Sequence, residues 1–173
     1  MKKSYNLLKN TTFSLSILYL SLSLIFGYIE TIFSLNLGVI GVRIGLSNII
    51  TILGLKTIGK SKTFLICLLR LVILGILFNN IIRFIISASG LVLSYIIMVL
   101  CFDILNFGIV STSIFGAVFH NIGQIIAVSI ISKNAAIIKM LPIYLIVGII
   151  TGFIIGKISN NLLKILNKIY LNN

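Results

Sequence analysis

Along the chain, long apolar runs alternate with short clusters of lysine, arginine, asparagine and glycine. A helix that crosses a bilayer needs roughly 20 predominantly apolar residues. Cutting the chain at its charges, glycines and asparagines leaves six such segments: Thr11 to Thr31, Ile44 to Ile58, Lys62 to Asn79, Phe84 to Leu105, Gly108 to Ser132, and Ile137 to about Leu163. The second is short and is bounded by Arg43 and Lys60. This pattern predicts an all-α bundle of about six transmembrane helices, forming one integral membrane domain over residues 1–173. Between the first two spans, Ile32 to Val42 is uncharged, apolar and broken by Asn36, Gly38 and Gly41. It is too short to cross alone, and non-helical backbone at membrane depth needs protein or water to satisfy it. It is expected to be a loop or half-helix folding over the outer end of the bundle.

Composition narrows the class further. The 173 residues are 59% hydrophobic and 9% charged, with a mean hydropathy of +1.23. Soluble domains carry about 25% charged residues, so an ordinary soluble enzyme, a nucleic-acid binder and a disordered tail are excluded. The formal charge of +12, from 14 basic against 2 acidic residues, fits the anionic inner leaflet of a membrane. Lys2, Lys3 and Lys9 precede the first apolar run as in a signal peptide. That run is too long for a typical signal core and no small-residue cleavage site follows, so it reads as an uncleaved first span. With the N-terminus inside, the cytoplasmic side holds Lys2, Lys3, Lys9, Lys56, Lys60, Lys62, Lys157, Lys164 and Lys168. The outer side holds Arg43, Arg83, Lys133 and Lys139. The bias places both termini in the cytoplasm of a multi-pass cell-membrane protein.

Ionisable groups inside a span are costly and need a partner or a function. On this topology, Glu30 ends the first span at the outer face, and Arg43 and Asn48 begin the second there. Arg70 lies in the middle of the third span, with Asn79, Asn80 and Arg83 at its outer end. His120, Asn121 and Gln124 occupy the middle to outer half of the fifth, and Tyr144 enters the sixth just after Pro142. The expected site is one outward-facing cavity lined by Glu30, Arg43, Asn48, Arg70, Asn79, His120, Asn121, Gln124 and Tyr144. Structural readings stand beside it. Glu30 could pair with Arg43 or Arg83, and Arg70 with a backbone carbonyl. His120 and Gln124, spaced i, i+4, share a helix face that a structural interhelical bond would also explain. Asp103 reads as a partner for a cytoplasmic lysine.

Small residues recur at packing intervals, Ser23 and Gly27 on the first span and Gly148, Gly152 and Gly156 on the last. Close packing within the bundle is the favoured explanation, with a docking face for a partner membrane protein as the alternative on the first span. Cys67 and Cys101 fall in apolar runs with neither disulfide nor metal spacing. Diphosphate chemistry with magnesium needs clustered carboxylates. One Glu and one Asp cannot build such a site, so no metal or other cofactor is expected and independent catalysis is disfavoured. Anion binding is feasible, because Arg43, Arg70 and Arg83 offer guanidinium forks to phosphate or carboxylate.

Four stretches resemble a bacterial membrane family. Gly41-Val42-Arg43-Ile44-Gly45-Leu46-Ser47-Asn48 resembles its "PGxKLGLAN" signature, with Arg43 in the lysine position and no proline before Gly41. Leu69 to Gly75 resembles its third span, with an arginine and a glycine. Gly116-Ala117-Val118-Phe119-His120-Asn121-Ile122-Gly123-Gln124 resembles its "GAxxHNxGQ" element, and Leu141-Pro142 followed by Gly148, Thr151-Gly152 and Gly156 resembles its ending. The resemblance runs from Glu30 to Gly156. The family carries two labels, heptaprenyl diphosphate synthase component I and Gx transporter. It is similar in size and topology to the substrate-binding S components of energy-coupling-factor transporters. The resemblance implies six helices, both ends inside, and a ligand pocket near the outer face.

Two functions follow as expectations. One is a substrate-binding or transport component for a small anionic or amphipathic molecule, working with the lipid bilayer and an energy-coupling transporter module. The other is a non-catalytic membrane subunit of a heptaprenyl diphosphate synthase in isoprenoid or menaquinone biosynthesis, partnering a catalytic prenyl synthase subunit. A purely structural scaffold is the third possibility.

Overall fold

The computed structural model describes residues 2–36, 45–78 and 80–171, with side chains for 12–32, 45–78 and 80–168. Arg43, Asn79 and residues 37–42 lie outside the described residues. Six α-helices follow one another: α1 (Lys2–Asn36), α2 (Leu46–Thr57), α3 (Lys60–Phe78), α4 (Ile81–Asp103), α5 (Ile109–Ile131) and α6 (Leu141–Leu171). A 3₁₀ turn over Ala135–Met140 leads into α6. Five of the helices are long and apolar enough to cross a bilayer; α2 is the short one. The protein is therefore a multi-pass membrane protein.

Local chemistry sets the helix ends. The sequence pattern starts the fourth span at Phe84, but α4 begins at Ile81 because Asn80 is its N-cap, with Oδ1 accepting from the Arg83 backbone N–H at 3.0 Å. The sixth span takes in Ile137 as expected, but its regular helix α6 begins only at Leu141, because Asn134 nucleates a 3₁₀ turn by accepting from Ala136 N–H at 3.0 Å. Pro142 then occupies the first turn of α6, where its missing N–H is not needed. The first helix also runs on to Asn36, so Ile32 to Asn36 is helical rather than part of a loop. Gly59, at φ +87°, turns the chain tightly between α2 and α3, with its N–H on Gly54 O at 3.1 Å.

The direction of each pass is read from contacts. Lys62 Nζ meets Thr12 Oγ1 at 3.2 Å, Thr57 Oγ1 donates to Tyr19 Oη at 3.1 Å, and Tyr28 packs on Phe78 with centroids 5.6 Å apart. Thus α1 and α3 run parallel, and α2 carries the chain back between them. Phe64 packs on Tyr95, and Gly75 faces Phe84, so α4 is antiparallel to α3. Gly116 lies against Met98, and Gly156 against Val110, so α5 and α6 alternate in turn. The start of α1 and the end of α6 consequently share one end of the bundle. At that end Lys60 pairs with Asp103, the one ion pair among the described residues, and Tyr95 Oη donates to Lys60 O at 2.7 Å. Lys56 sits 3.9 Å from the centroid of Phe102.

Helix α2 is the centre of the structure. Its residues Ser47 to Gly54 are all buried. Twelve residues rise about 18 Å, well short of a roughly 30 Å hydrocarbon core, so both of its ends need polar partners supplied by protein. Glu30 provides them at the start: its carboxylate accepts from the Leu46 backbone N–H, and from Ser47 Oγ at 2.9 Å. A carboxylate there also complements the positive end of the helix dipole. Glu30 is therefore the cap of α2 and forms no ion pair with Arg83. A Glu30→Ala variant is expected to lose about 1–2 kcal/mol of stability, the usual worth of an N-cap, while Glu30→Gln retains an acceptor and loses less. Unfolding in mixed micelles, followed by circular dichroism, reads the difference.

The glycine ladder of α6 lies inside the bundle. A Cβ on Gly152 would fall 2.7 Å from Ile114 Cα, and one on Gly156 2.8 Å from Val110 Cα. Gly123 is held as closely against α4, where a Cβ would lie 2.7 Å from Ser89 O, and Ser89 Oγ donates to Gly123 O at 2.9 Å. Backbones this close gain dispersion contacts, the main source of helix adhesion where lipid removes the hydrophobic drive. On α1, Ser23 is buried and Gly27 packs against Leu74 and Arg70 of α3. That face is covered from within, and the partner-docking alternative for it is set aside.

Candidate functional site

At the end of the bundle opposite Lys60 and Asp103, α1 finishes, α2 begins, and α3 turns into α4. A cavity of about 40 Å³ lies there. A water needs roughly 10–15 Å³ of such space, so the cavity has room for a few waters. Its polar wall comprises Glu30 and Thr31 of α1, Ser47 and Asn48 of α2, Arg70 of α3, Asn80, Arg83 and Ser87 from the start of α4, and His120 of α5. Leu71, Leu74, Phe78 and Phe84 form its apolar side. Helices α3 and α5 share no direct interface among the described residues. Arg70 and His120 meet only across this space.

Each wall has a local cause. Asn48 opens α2, with its N–H on Gly45 O at 2.8 Å, and Gly45 takes the left-handed conformation, φ +82°, that brings the chain into the helix. Ser87 Oγ donates to Arg83 O at 2.6 Å, one turn back on α4. Thr31 Oγ1 donates to Gly27 O at 2.7 Å in the same way. His120 is buried against Gly90, whose missing side chain makes the room: a Cβ there would lie 3.0 Å from His120 Cε1.

Arg70 has no such local settlement. Its residue exposure is 7%, and its Nη1 is buried without a hydrogen-bond partner. The charge balance around it is one-sided: Arg70 and Arg83 face the cavity with Glu30 as the single carboxylate, and that carboxylate already accepts from α2. A net positive, low-dielectric recess attracts an anion, and a guanidinium can present two parallel donors to it.

The structure brings Glu30, Asn48, Arg70 and His120 together and holds Asn121, Gln124 and Tyr144 elsewhere. Asn121 Nδ2 donates to Tyr144 O at 2.8 Å, which ties α5 to α6. Gln124 is buried at the α4–α5 seam against Gly90, with its Oε1 unpartnered. Arg43 and Asn79 lie outside the described residues. Ser47, Ser87, Asn80 and the aromatic wall of Phe78 and Phe84 were not among the expected site residues. Asn80 and Ser47 did carry a sequence signal, as capping-type residues at the start of apolar helices. Ser87 and the two phenylalanines carried none, since such residues are common in any span.

The family model described as heptaprenyl diphosphate synthase component I matches residues 19–162. Nothing matches in the comparisons with curated proteins and with solved structures.

Proposed function

Since the chain belongs to the heptaprenyl diphosphate synthase component I family, we propose that it is a cell-membrane component that binds a small anionic or amphipathic molecule. Arg70 supplies the charge selection, and His120 and Asn48 the neighbouring polar contacts. Asn121, Gln124 and Tyr144 act one layer behind by fixing α5 against α4 and α6. The observation that carries this reading is the buried Arg70 with its unpartnered Nη1 on a cavity. A charge kept at such cost, with Nη1 unpartnered among the described residues, is accounted for by a partner that arrives from outside. The lysine-rich end faces the cytoplasm by the charge rule, which opens the cavity to the outer side, as uptake requires.

The family's description favours a second reading, a membrane subunit of a prenyl diphosphate synthase. Glu30 and Asp103 are the only acidic residues and stand at opposite ends of the bundle, so magnesium-dependent diphosphate chemistry does not fit this chain's residues. A separate catalytic subunit would have to supply it.

Affinity purification from native membranes in mild detergent separates the two. The carrier reading expects a small anionic molecule in the denatured extract, detected by mass spectrometry and missing from an Arg70→Gln preparation, together with a transporter ATPase pair. A co-purifying prenyl synthase rich in Asp-Asp motifs supports the second reading. Identical small-molecule contents in wild type and Arg70→Gln overturn the pocket.

A further inference from the structure

Next to the polar cavity lies a second space of different character. A groove of about 320 Å³ opens on the lipid-facing side between α3 and α4, lined by Val72, Gly75, Ile76, Asn80, Ile81 and Phe84. That is about twice the roughly 150 Å³ that accommodates a benzene ring in an apolar cavity. Ile76 and Ile81 at its lip are 74% and 70% exposed, so the groove faces hydrocarbon. Three residues line both spaces: Gly75, Asn80 and Phe84. The partition between an arginine-bearing recess and the lipid phase is thus formed by Phe84, Gly75 and Asn80.

That partition is built to be thin. The Phe84 ring rests on Gly75, where a Cβ would lie 2.6 Å from Phe84 Cδ2. The ring fills the hollow left by the absent side chain. The α3–α4 contact is also the slightest among the antiparallel pairs of long helices. The α4–α5 and α5–α6 seams are far more extensive and are locked by backbone approach at Gly123, Gly152 and Gly156.

Building on the anion-binding reading, we propose that the ligand is a single-chain amphiphile with a phosphate-type headgroup, and that it enters sideways through a portal between α3 and α4. The headgroup is held at Arg70, and the apolar chain lies along Val72, Ile76 and Ile81 in the groove, with Phe84 as the moving side chain between them. The apolar volume of the groove and the wall it shares with a cationic recess account for both halves of such a molecule. A soluble anion would need only the recess.

The test uses the full chain in phosphatidylcholine nanodiscs with dodecyl phosphate carrying a diazirine on its tail. Photo-crosslinks are expected to concentrate on Val72, Ile76 and Ile81, to be competed by unlabelled dodecyl phosphate but not by dodecanol, and to vanish in Arg70→Gln. An Ile76→Trp variant, whose new ring fills the groove from the lipid side without touching the core, should cut this labelling about tenfold or more. It should leave binding of radiolabelled inorganic phosphate unchanged. Crosslinks scattered over all lipid-facing helices, or confined to the groove but indifferent to Arg70, overturn the portal. If inorganic phosphate still binds through Arg70 in that case, the anion pocket stands without it. If neither probe depends on Arg70, both readings fall.

Discussion

An Arg70→Met variant is expected to be more stable than the wild type and to have lost ligand binding. The two effects have one origin. A guanidinium at the centre of a span costs roughly 2.5–3.5 kcal/mol on insertion scales, and Arg70 Nη1 recovers none of that through a hydrogen bond among the described residues. Methionine keeps much of the stem volume, which matters because Arg70 Cδ and Cγ pack beside Gly27 of α1. Removing the charge should therefore raise unfolding free energy by about 1–3 kcal/mol, as for other buried ionic groups replaced by apolar ones of similar size. Removing a buried charged contact to a ligand costs about 2–5 kcal/mol of binding, a loss of at least about thirtyfold. Unfolding in mixed micelles and ligand retention after purification measure the two quantities on the same samples. A purely structural arginine predicts the opposite sign for stability. If Arg70→Met unfolds more readily than wild type, Arg70 is holding the fold together and the pocket assignment fails.

The other large effect is steric. In Gly152→Val, the new Cβ would meet Ile114 Cα at 2.7 Å, Ser113 O at 2.9 Å and Ala117 Cβ at 3.1 Å. Two of these three are backbone atoms, which cannot rotate away, so α5 and α6 must separate. Overpacking of this kind costs typically 1–3 kcal/mol, and about 3 kcal/mol is expected because a long seam loses its dispersion contacts together. The Asn121 bond to Tyr144 O lies about two turns along the same seam and weakens with it. Ile150 on the opposite side of α6 is 55% exposed, and lipid replaces protein there at little cost. Ile150→Ala should stay within about 0.5 kcal/mol of wild type. Equal effects from the two substitutions, measured by unfolding in bicelles, would show that the α5–α6 seam is not where the bundle's adhesion resides.

The predicted spans were close to the observed helices because apolar runs, glycines and capping asparagines act locally. The errors came from residues with a local role hidden in an apolar context. Asn80 reads as a loop residue until its bond to Arg83 N–H makes it a cap, and Asn134 starts a turn that delays α6. As a lone carboxylate among arginines Glu30 invites an ion-pair reading, yet the donors nearest to it are a backbone N–H and Ser47 Oγ at the start of a buried helix sixteen and seventeen residues on.

From the sequence alone it was determined that the chain is a membrane bundle, where its helices lie, which end carries the lysines, and that small residues line the α6 face. These follow from hydropathy, charge and a 3.6-residue period, which are properties of single segments. Only the tertiary structure decided that Arg70 and His120 share a cavity, that Asn121 turns to α6, and that Gln124 stays in the α4–α5 seam. Periodicity states which residues share a helix face, but the rotation of each helix about its axis is set by what packs against it. Here the short α2, wedged among the longer helices and capped by Glu30, holds α3 and α5 apart and so makes the space between them.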